Sequence, residues 1–121
     1  MVKTVPLGAA LAEQFGSPSS NLSDHAVVLM QNHGFTTAAA DIKTAVFQAV
    51  YAQVNAKVLS DTLNLESAFP GTREKGVVYM THQQIIDSWK TNIGTTQRPW
   101  DLWVRQVKVN PLYANELDAD V

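Results

Sequence analysis

One short run of residues, Ala26–Met30, constrains the fold of this chain more than any other feature. All five residues are apolar and two of them, Val27 and Val28, are β-branched, a pattern typical of a strand buried on both faces with helices above and below it. Gln31-Asn32-His33-Gly34 interrupts the run, and Phe35–Thr37 resumes extended character. Because Asn32 and Gly34 both tolerate positive φ, the pattern predicts a tight hairpin between strands at about residues 26–31 and 35–38.

Helical patterns surround this hairpin. Apolar residues spaced four apart predict a first helix, and Asp41 is a good N-cap for a long helix with apolar residues at spacings of three and four. Thr81 and Gln84 have the capping-box spacing, and Pro99 suits the first turn of a last helix. The predicted helices span about residues 6–15, 41–65, 81–92 and 99–109.

These elements predict an α/β fold in which residues 1–121 form a single partial domain. Only two or three strands are visible, and a sheet that small is marginal when its central strand is meant to be buried. The helices also carry more apolar surface than so little sheet can cover. We therefore expect part of an α-β-α layered sheet domain, with the remaining strands upstream or on another subunit.

The composition excludes several classes of protein. Hydrophobic residues make up 45% and charged residues 17%, which is typical of a globular chain. A net charge of −2 without a basic stripe gives no support for binding nucleic acid or an anionic membrane. The absence of cysteine excludes disulfides and thiolate metal sites. No convincing signal peptide or segment of transmembrane length is present, so we expect a cytoplasmic protein.

His33 is the one chemically suggestive residue. It follows the predicted buried strand, where α/β proteins place functional side chains, and imidazole can bind a metal or act as a general base. The alternative is a turn histidine that bonds to the backbone. A tetrahedral zinc site needs at least three protein ligands, but His25 is expected at the other end of the strand and His82 in a solvated helix cap. The residues alone therefore offer one ligand and no complete site.

Several stretches resemble the class II aldolase/adducin family. The most specific is Val27–Phe35, with its Asn-His-Gly turn, followed by Asp41–Phe47 at the start of an alanine-rich helix. Leu7–Ala12 is similar to the helix that leads into the family's strand, and Arg98–Arg105 is similar to the C-terminal helix of fungal members. The resemblance covers most of the chain and places it as the C-terminal part of the domain of a fungal-type member.

The resemblance implies that His33 is one of three histidines that bind a divalent metal, usually zinc. In the family the other two form an upstream His-x-His pair, and the acid/base is a glutamate farther upstream. Neither has a counterpart here. The family also commonly has glycine where this chain has Ala38–Ala40, and often glutamate where Val54 falls.

For the complete domain, the resemblance implies a zinc-dependent aldehyde-lyase acting on a small hydroxy-carbonyl substrate, either a sugar or a keto acid. The metal acts as a Lewis acid that stabilises an enediolate, an intermediate that also serves epimerases, decarboxylases and dehydratases of the family. The chain by itself is expected to be inactive and to bind metal weakly or not at all. The alternative is a non-catalytic adducin-like module for binding or assembly.

We also expect this chain to associate. The family's aldolases are homo-oligomers, and an unpaired apolar strand exposes backbone donors and acceptors to other chains. The aromatic residues Trp100 and Trp103 could add a subunit contact.

Overall fold

The computed structural model describes residues 2–16, 24–69 and 76–114. The chain divides into two compact units, Met1–Thr81 and His82–Val121. Over the described residues the fold is mixed α/β, with helices and a two-stranded sheet in the order expected from the sequence. The elements are α1 (Val5–Glu13), β1 (Val27–Met30), β2 (Gly34–Thr37), α2 (Ile42–Ala68), α3 (His82–Ile93) and α4 (Gln97–Val109).

The two strands form the expected hairpin. β1 pairs antiparallel with β2, with Val27 opposite Thr37 and Met30 opposite Gly34. The backbone N–H of His33 donates to the carbonyl of Met30 at 3.0 Å and closes a four-residue turn. Asn32 is at φ 60° and Gly34 at φ 86°, the two positions where the sequence predicted tolerance of positive φ. The hairpin is therefore encoded by residues within the turn itself.

α2 begins where the sequence predicted and packs its first part on the hairpin. The Asp41 carboxylate accepts from the Thr44 backbone N–H at 2.8 Å, which is the geometry of an N-cap. The Thr37 hydroxyl donates to the Ala45 carbonyl at 3.1 Å and joins β2 to α2. Phe47 is 7% exposed, and its ring lies 4.5 Å from that of Tyr51 between centroids. Among the described residues, Phe47 is the one buried apolar side chain, so the core is small.

The sequence predicted that β1 is buried on both faces, and in the structure of this chain it is not. Val28 and Met30 are half-buried, whereas Val27 and Leu29 are exposed, Leu29 by 82%. Side chains alternate between the two faces of a strand, so this pattern means that one face of β1 is covered and the other is open. The continuous apolar run predicted two covering layers, but over the described residues the face of β1 that carries Leu29 is largely open.

The second unit contains α3 and α4. α4 begins at Gln97, two residues earlier than predicted, so that Pro99 lies in its first turn. Its N-cap, Thr96, makes no side-chain cap bond, and the buried Thr96 hydroxyl donates back to the Ile93 carbonyl at 3.1 Å. The Gln97 side-chain amide reaches Asp101 at 2.6 Å instead. Side-chain bonds between neighbouring turns therefore define this helix start.

The first helix is shorter than expected. α1 ends at Glu13, so Phe15 lies beyond it, and the Phe15 carbonyl accepts from the His25 backbone N–H at 3.1 Å. Throughout the described ranges, no helix combines the length and the apolar character needed to cross a membrane.

Candidate functional site

The hairpin turn presents His33 at the surface. Its backbone is fixed by the hydrogen bond to Met30 and by the glycine that follows, while the residue as a whole is exposed. A short turn between two paired strands restricts where the imidazole can lie, because the backbone on either side is held in register. His33 is thus a well-positioned histidine with access to solvent.

An open cleft of about 610 Å³ lies beside the turn. One wall comes from the N-terminal segment and α1, and the other comes from the hairpin. The volume falls within the range of roughly 300–1,000 Å³ that is typical of small-molecule sites. His33 therefore lines a cleft and is not packed into the core. The lining residues are Val2, Leu7, Leu11, Met30, Gln31, His33 and Thr36.

His25 does not join His33, and His82 belongs to the other compact unit. His25 precedes β1, at the opposite end of the hairpin from the turn. A strand rise of about 3.3 Å per residue puts the two backbones much farther apart than the ligands of one zinc ion, which lie about 2 Å from the metal. His82 is the first residue of α3, in the other compact unit. The structure of the first unit therefore assembles one imidazole at the cleft.

Asp41, the carboxylate nearest to His33 in sequence, serves the helix and not the cleft. The Thr44 backbone N–H holds the pKa of the Asp41 carboxyl below its ordinary value, and the Thr44 hydroxyl also donates to this carboxylate at 3.1 Å. Hydrogen bonds to the charged form favour ionisation, and they also occupy the carboxylate oxygens. The assignment of Asp41 as a cap rather than an acid/base residue agrees with this geometry.

The described residues do not complete a metal site by themselves. No group of three or more His, Cys, Asp or Glu side chains in residues 2–16, 24–69 and 76–114 is arranged to hold an ion. A catalytic zinc site takes three protein ligands plus an open position, which is more than the one imidazole at the cleft could provide. Any metal held at His33 would need ligands from outside the described part of this chain.

Sequence reasoning missed the residues opposite His33. The spacing of Leu7 and Leu11 predicted one face of a helix without saying what that face contacts, and in the structure both residues line the open cleft. Their spacing of four residues correctly places them on one face of α1. Which surface that face would meet depends on the path of the chain between α1 and β1, and no periodicity in the sequence contains that information.

Comparison with known families identifies the chain. The model of the family described as "Class II Aldolase and Adducin N-terminal domain" matches residues 1–60, which include α1, the hairpin and the first two-thirds of α2. The chain belongs to the class II aldolase/adducin family. No solved structure matches it.

A curated relative extends the match beyond residue 60. The decarboxylase tropJ from the fungus Talaromyces stipitatus is 35% identical over 118 residues, which cover 95% of this chain. Those residues are 44% of the relative, so the chain spans less than half of the length of the curated protein that it resembles. More than half of the relative has no counterpart here.

Proposed function

We propose that this class II aldolase/adducin family chain is part of a divalent-metal-dependent lyase that acts on a small hydroxy-carbonyl substrate, with His33 as one of the metal ligands. The observation that carries the proposal is the exposed imidazole of His33, held by a closed hairpin turn at the edge of a cleft of ligand size. Zinc is the expected metal, since neutral imidazole is among its preferred ligands.

The remaining ligands and the acid/base group belong, in this proposal, to parts of the complete protein that this chain does not contain. Two observations support that view: the described residues offer no three-ligand group, and the decarboxylase relative is more than twice as long as the matched region. The chain alone is accordingly proposed to be inactive. The open face of β1, with Leu29 exposed, is then the side on which a second helical layer packs, and further strands pair along an edge of the hairpin to complete an α-β-α domain.

We propose which type of bond is broken in the reaction. The relative is named a decarboxylase. Decarboxylation and aldol cleavage both break a carbon–carbon bond next to a carbonyl and leave the electron pair on the adjacent carbon. A site that stabilises this charge serves either reaction. We therefore propose a carbon–carbon lyase of the cytoplasm, assembled as a homo-oligomer, and leave open whether carbon dioxide or an aldehyde is released.

A non-catalytic adducin-like binding module is the second candidate. The observation that favours it is the single imidazole, because a family member without the other metal ligands would keep the fold and lose the chemistry. The lyase and the binding module predict different coding sequences for the complete protein. A His-x-His pair in the coding sequence upstream of Met1 supports the lyase, and a continuous reading frame without one supports the binding module.

The decisive experiment uses the chain extended by its upstream coding sequence. With zinc present, we expect cleavage or decarboxylation of a hydroxy-carbonyl substrate, loss of activity on chelation, and a fall of at least about 100-fold in His33→Ala, since even groups that merely support a ligand cost 10- to 100-fold. His82→Ala is the matched control and should retain activity. Full activity of His33→Ala would refute the role of His33.

The chain as it stands provides a second test. Calorimetric titration should find weak zinc binding that His33→Ala reduces and His25→Ala does not, because one imidazole cannot form a tight site. Tight one-to-one binding abolished by His33→Ala would mean that further ligands lie within this chain.

A further inference from the structure

The walls of the cleft beside His33 are mostly apolar. Leu7 and Leu11 lie one turn apart on α1 and face the cleft together with Val2, and Met30 faces it from the end of β1. Leu7 is 51% exposed and Leu11 half-buried, so these side chains still present apolar area to solvent. A ligand that covers this area gains free energy by removing it from water.

The charge of the cleft argues against a phosphorylated or polyol ligand. Among the described residues that line it there is no Lys, Arg, Asp or Glu. Pro6 occupies the first turn of α1 and has no N–H, which weakens the anion-binding capacity of that helix end. A phosphate or a row of hydroxyls placed against the leucines would lose hydrogen bonds to water without replacing them.

The hairpin side of the cleft supplies both a polar edge and a sulfur atom. Gln31 and His33 carry side chains able to bond a carbonyl or hydroxyl group. The Thr36 hydroxyl donates to the Met30 thioether at 3.6 Å and helps to hold that side chain in place. Thioether sulfur makes favourable contacts with aromatic rings. The cleft is therefore polar near the turn and apolar, with a fixed sulfur, along α1 and β1.

We propose that the cleft is the subsite for an aryl substituent of the substrate. The proposal rests on the proposed function, which places the reacting carbonyl group at His33. The ring lies against Leu7, Leu11 and Met30, and the hydroxy-carbonyl group extends from it toward Gln31 and His33. The substrate class is then an aryl-substituted hydroxy-carbonyl compound, in place of a phosphorylated sugar.

The test measures binding to this chain without metal, so that it does not depend on catalysis or on His33 as a ligand. The probes are 2-hydroxyacetophenone and dihydroxyacetone phosphate. Both contain a hydroxyketone group, but the first carries a phenyl ring and the second carries a phosphate. NMR on the unaltered chain should show contacts from the ring protons of 2-hydroxyacetophenone to the methyl groups of Leu11 and Met30. Dihydroxyacetone phosphate should give no shifts at these methyl groups.

A pair of variants on α1 locates the binding site. Leu11→Asn should weaken 2-hydroxyacetophenone binding by about tenfold, because it replaces part of the apolar wall with a polar amide. Val5→Asn makes the same type of change at an exposed position that does not line the cleft, and it should leave the affinity unchanged. If Leu11→Asn fails to fold, the ring-to-methyl contacts in the unaltered chain decide the question.

Three results would overturn the aryl subsite: equal binding of the phosphorylated probe at these methyl groups, ring contacts on the exposed face of α2 in place of the cleft, or no binding of 2-hydroxyacetophenone at all. None of them would affect the proposed function, which is judged by zinc-dependent activity of the extended protein and its loss in His33→Ala. Conversely, an inactive extended protein with the ring contacts present would refute the lyase and retain the apolar subsite.

Discussion

Both halves of α2 carry apolar residues at helical spacing, but they differ in burial. Every residue from Lys43 to Val50 is at least partly buried, and Phe47 is buried. Beyond Tyr51, apolar residues continue at helical spacing, yet Val54, Val58 and Leu63 are exposed. An ion pair between exposed side chains, Lys57 and Asp61 at 3.2 Å, contributes little in such a position. Periodicity therefore predicts a helix with an apolar stripe, and it does not predict whether the stripe is covered.

The largest expected effect is on the covered half. Phe47→Ala should lower the free energy of unfolding by roughly 3 kcal/mol, because it removes a buried aromatic ring. Val58→Ala, at a position 57% exposed in the same helix, should change it by less than about 0.5 kcal/mol. Urea denaturation followed by circular dichroism measures both. Equal losses in the two variants would mean that the halves of α2 are equally packed in solution.

An intermediate effect is expected on association through the uncovered half. If its apolar side chains contact another copy, Val54→Glu combined with Val58→Glu should weaken self-association by about tenfold or more, since each substitution places a charge in an apolar contact. Gln53→Glu combined with Asn64→Glu adds the same charge at exposed polar positions and serves as the control. Sedimentation velocity measures the change. A wild-type chain that stays monomeric at all accessible concentrations would contradict the prediction.

The smallest effect is expected at the start of the covered half. Asp41→Ala removes the N-cap and should lower the midpoint of thermal unfolding by a few degrees, whereas Asp41→Asn keeps a capping oxygen and should lose less. Circular dichroism melts of the three proteins provide the comparison.

The same cap predicts a pH dependence with a definite sign. Because the pKa of Asp41 is lower in the folded protein than its ordinary value of 3.8, the ionised cap stabilises the fold above that pH. This contribution should disappear as the pH falls through the lowered pKa, and the gap between the wild-type and Asp41→Asn melting midpoints should close with it. A gap that is constant across this range would show that the charge of Asp41 does not contribute.

Features fixed within a few residues were predicted well. The turn from Met30 to Gly34 needs positive φ at two positions, and Asn32 and Gly34 occupy them. Asp41 lies three residues before the N–H that it caps, so its role is visible in the sequence. The start of α4 was predicted two residues late, because Gln97 and Asp101 stabilise a first turn that Pro99 alone does not define. The family, too, was recognisable from local motifs and is now shown by the comparisons.

The sequence predicted one part of the candidate site, the residue His33, and did not predict the residues opposite it. His33 was identified from its place after an apolar run and before glycine, and the structure puts it at a cleft. Its ligand role, the zinc ion, the oligomeric state and the single-domain organisation remain predictions. The opposite wall of the cleft was missed, because the spacing of Leu7 and Leu11 does not specify which part of the chain they face. Two leucines four residues apart predict an apolar helix face, but they do not predict which surface that face contacts.

The sequence by itself determined the order of the helices and strands, the hairpin turn, the cap of α2 and the position of His33 next to that turn. These depend on backbone dihedral preferences and on hydrogen bonds between residues close in the chain, which act whatever else the protein contacts. Only the tertiary structure decided which face of β1 is open, where the apolar stripe of α2 loses its cover, and that Leu7 and Leu11 face His33. Burial is a property of two surfaces that meet, and the sequence of one surface does not specify the other.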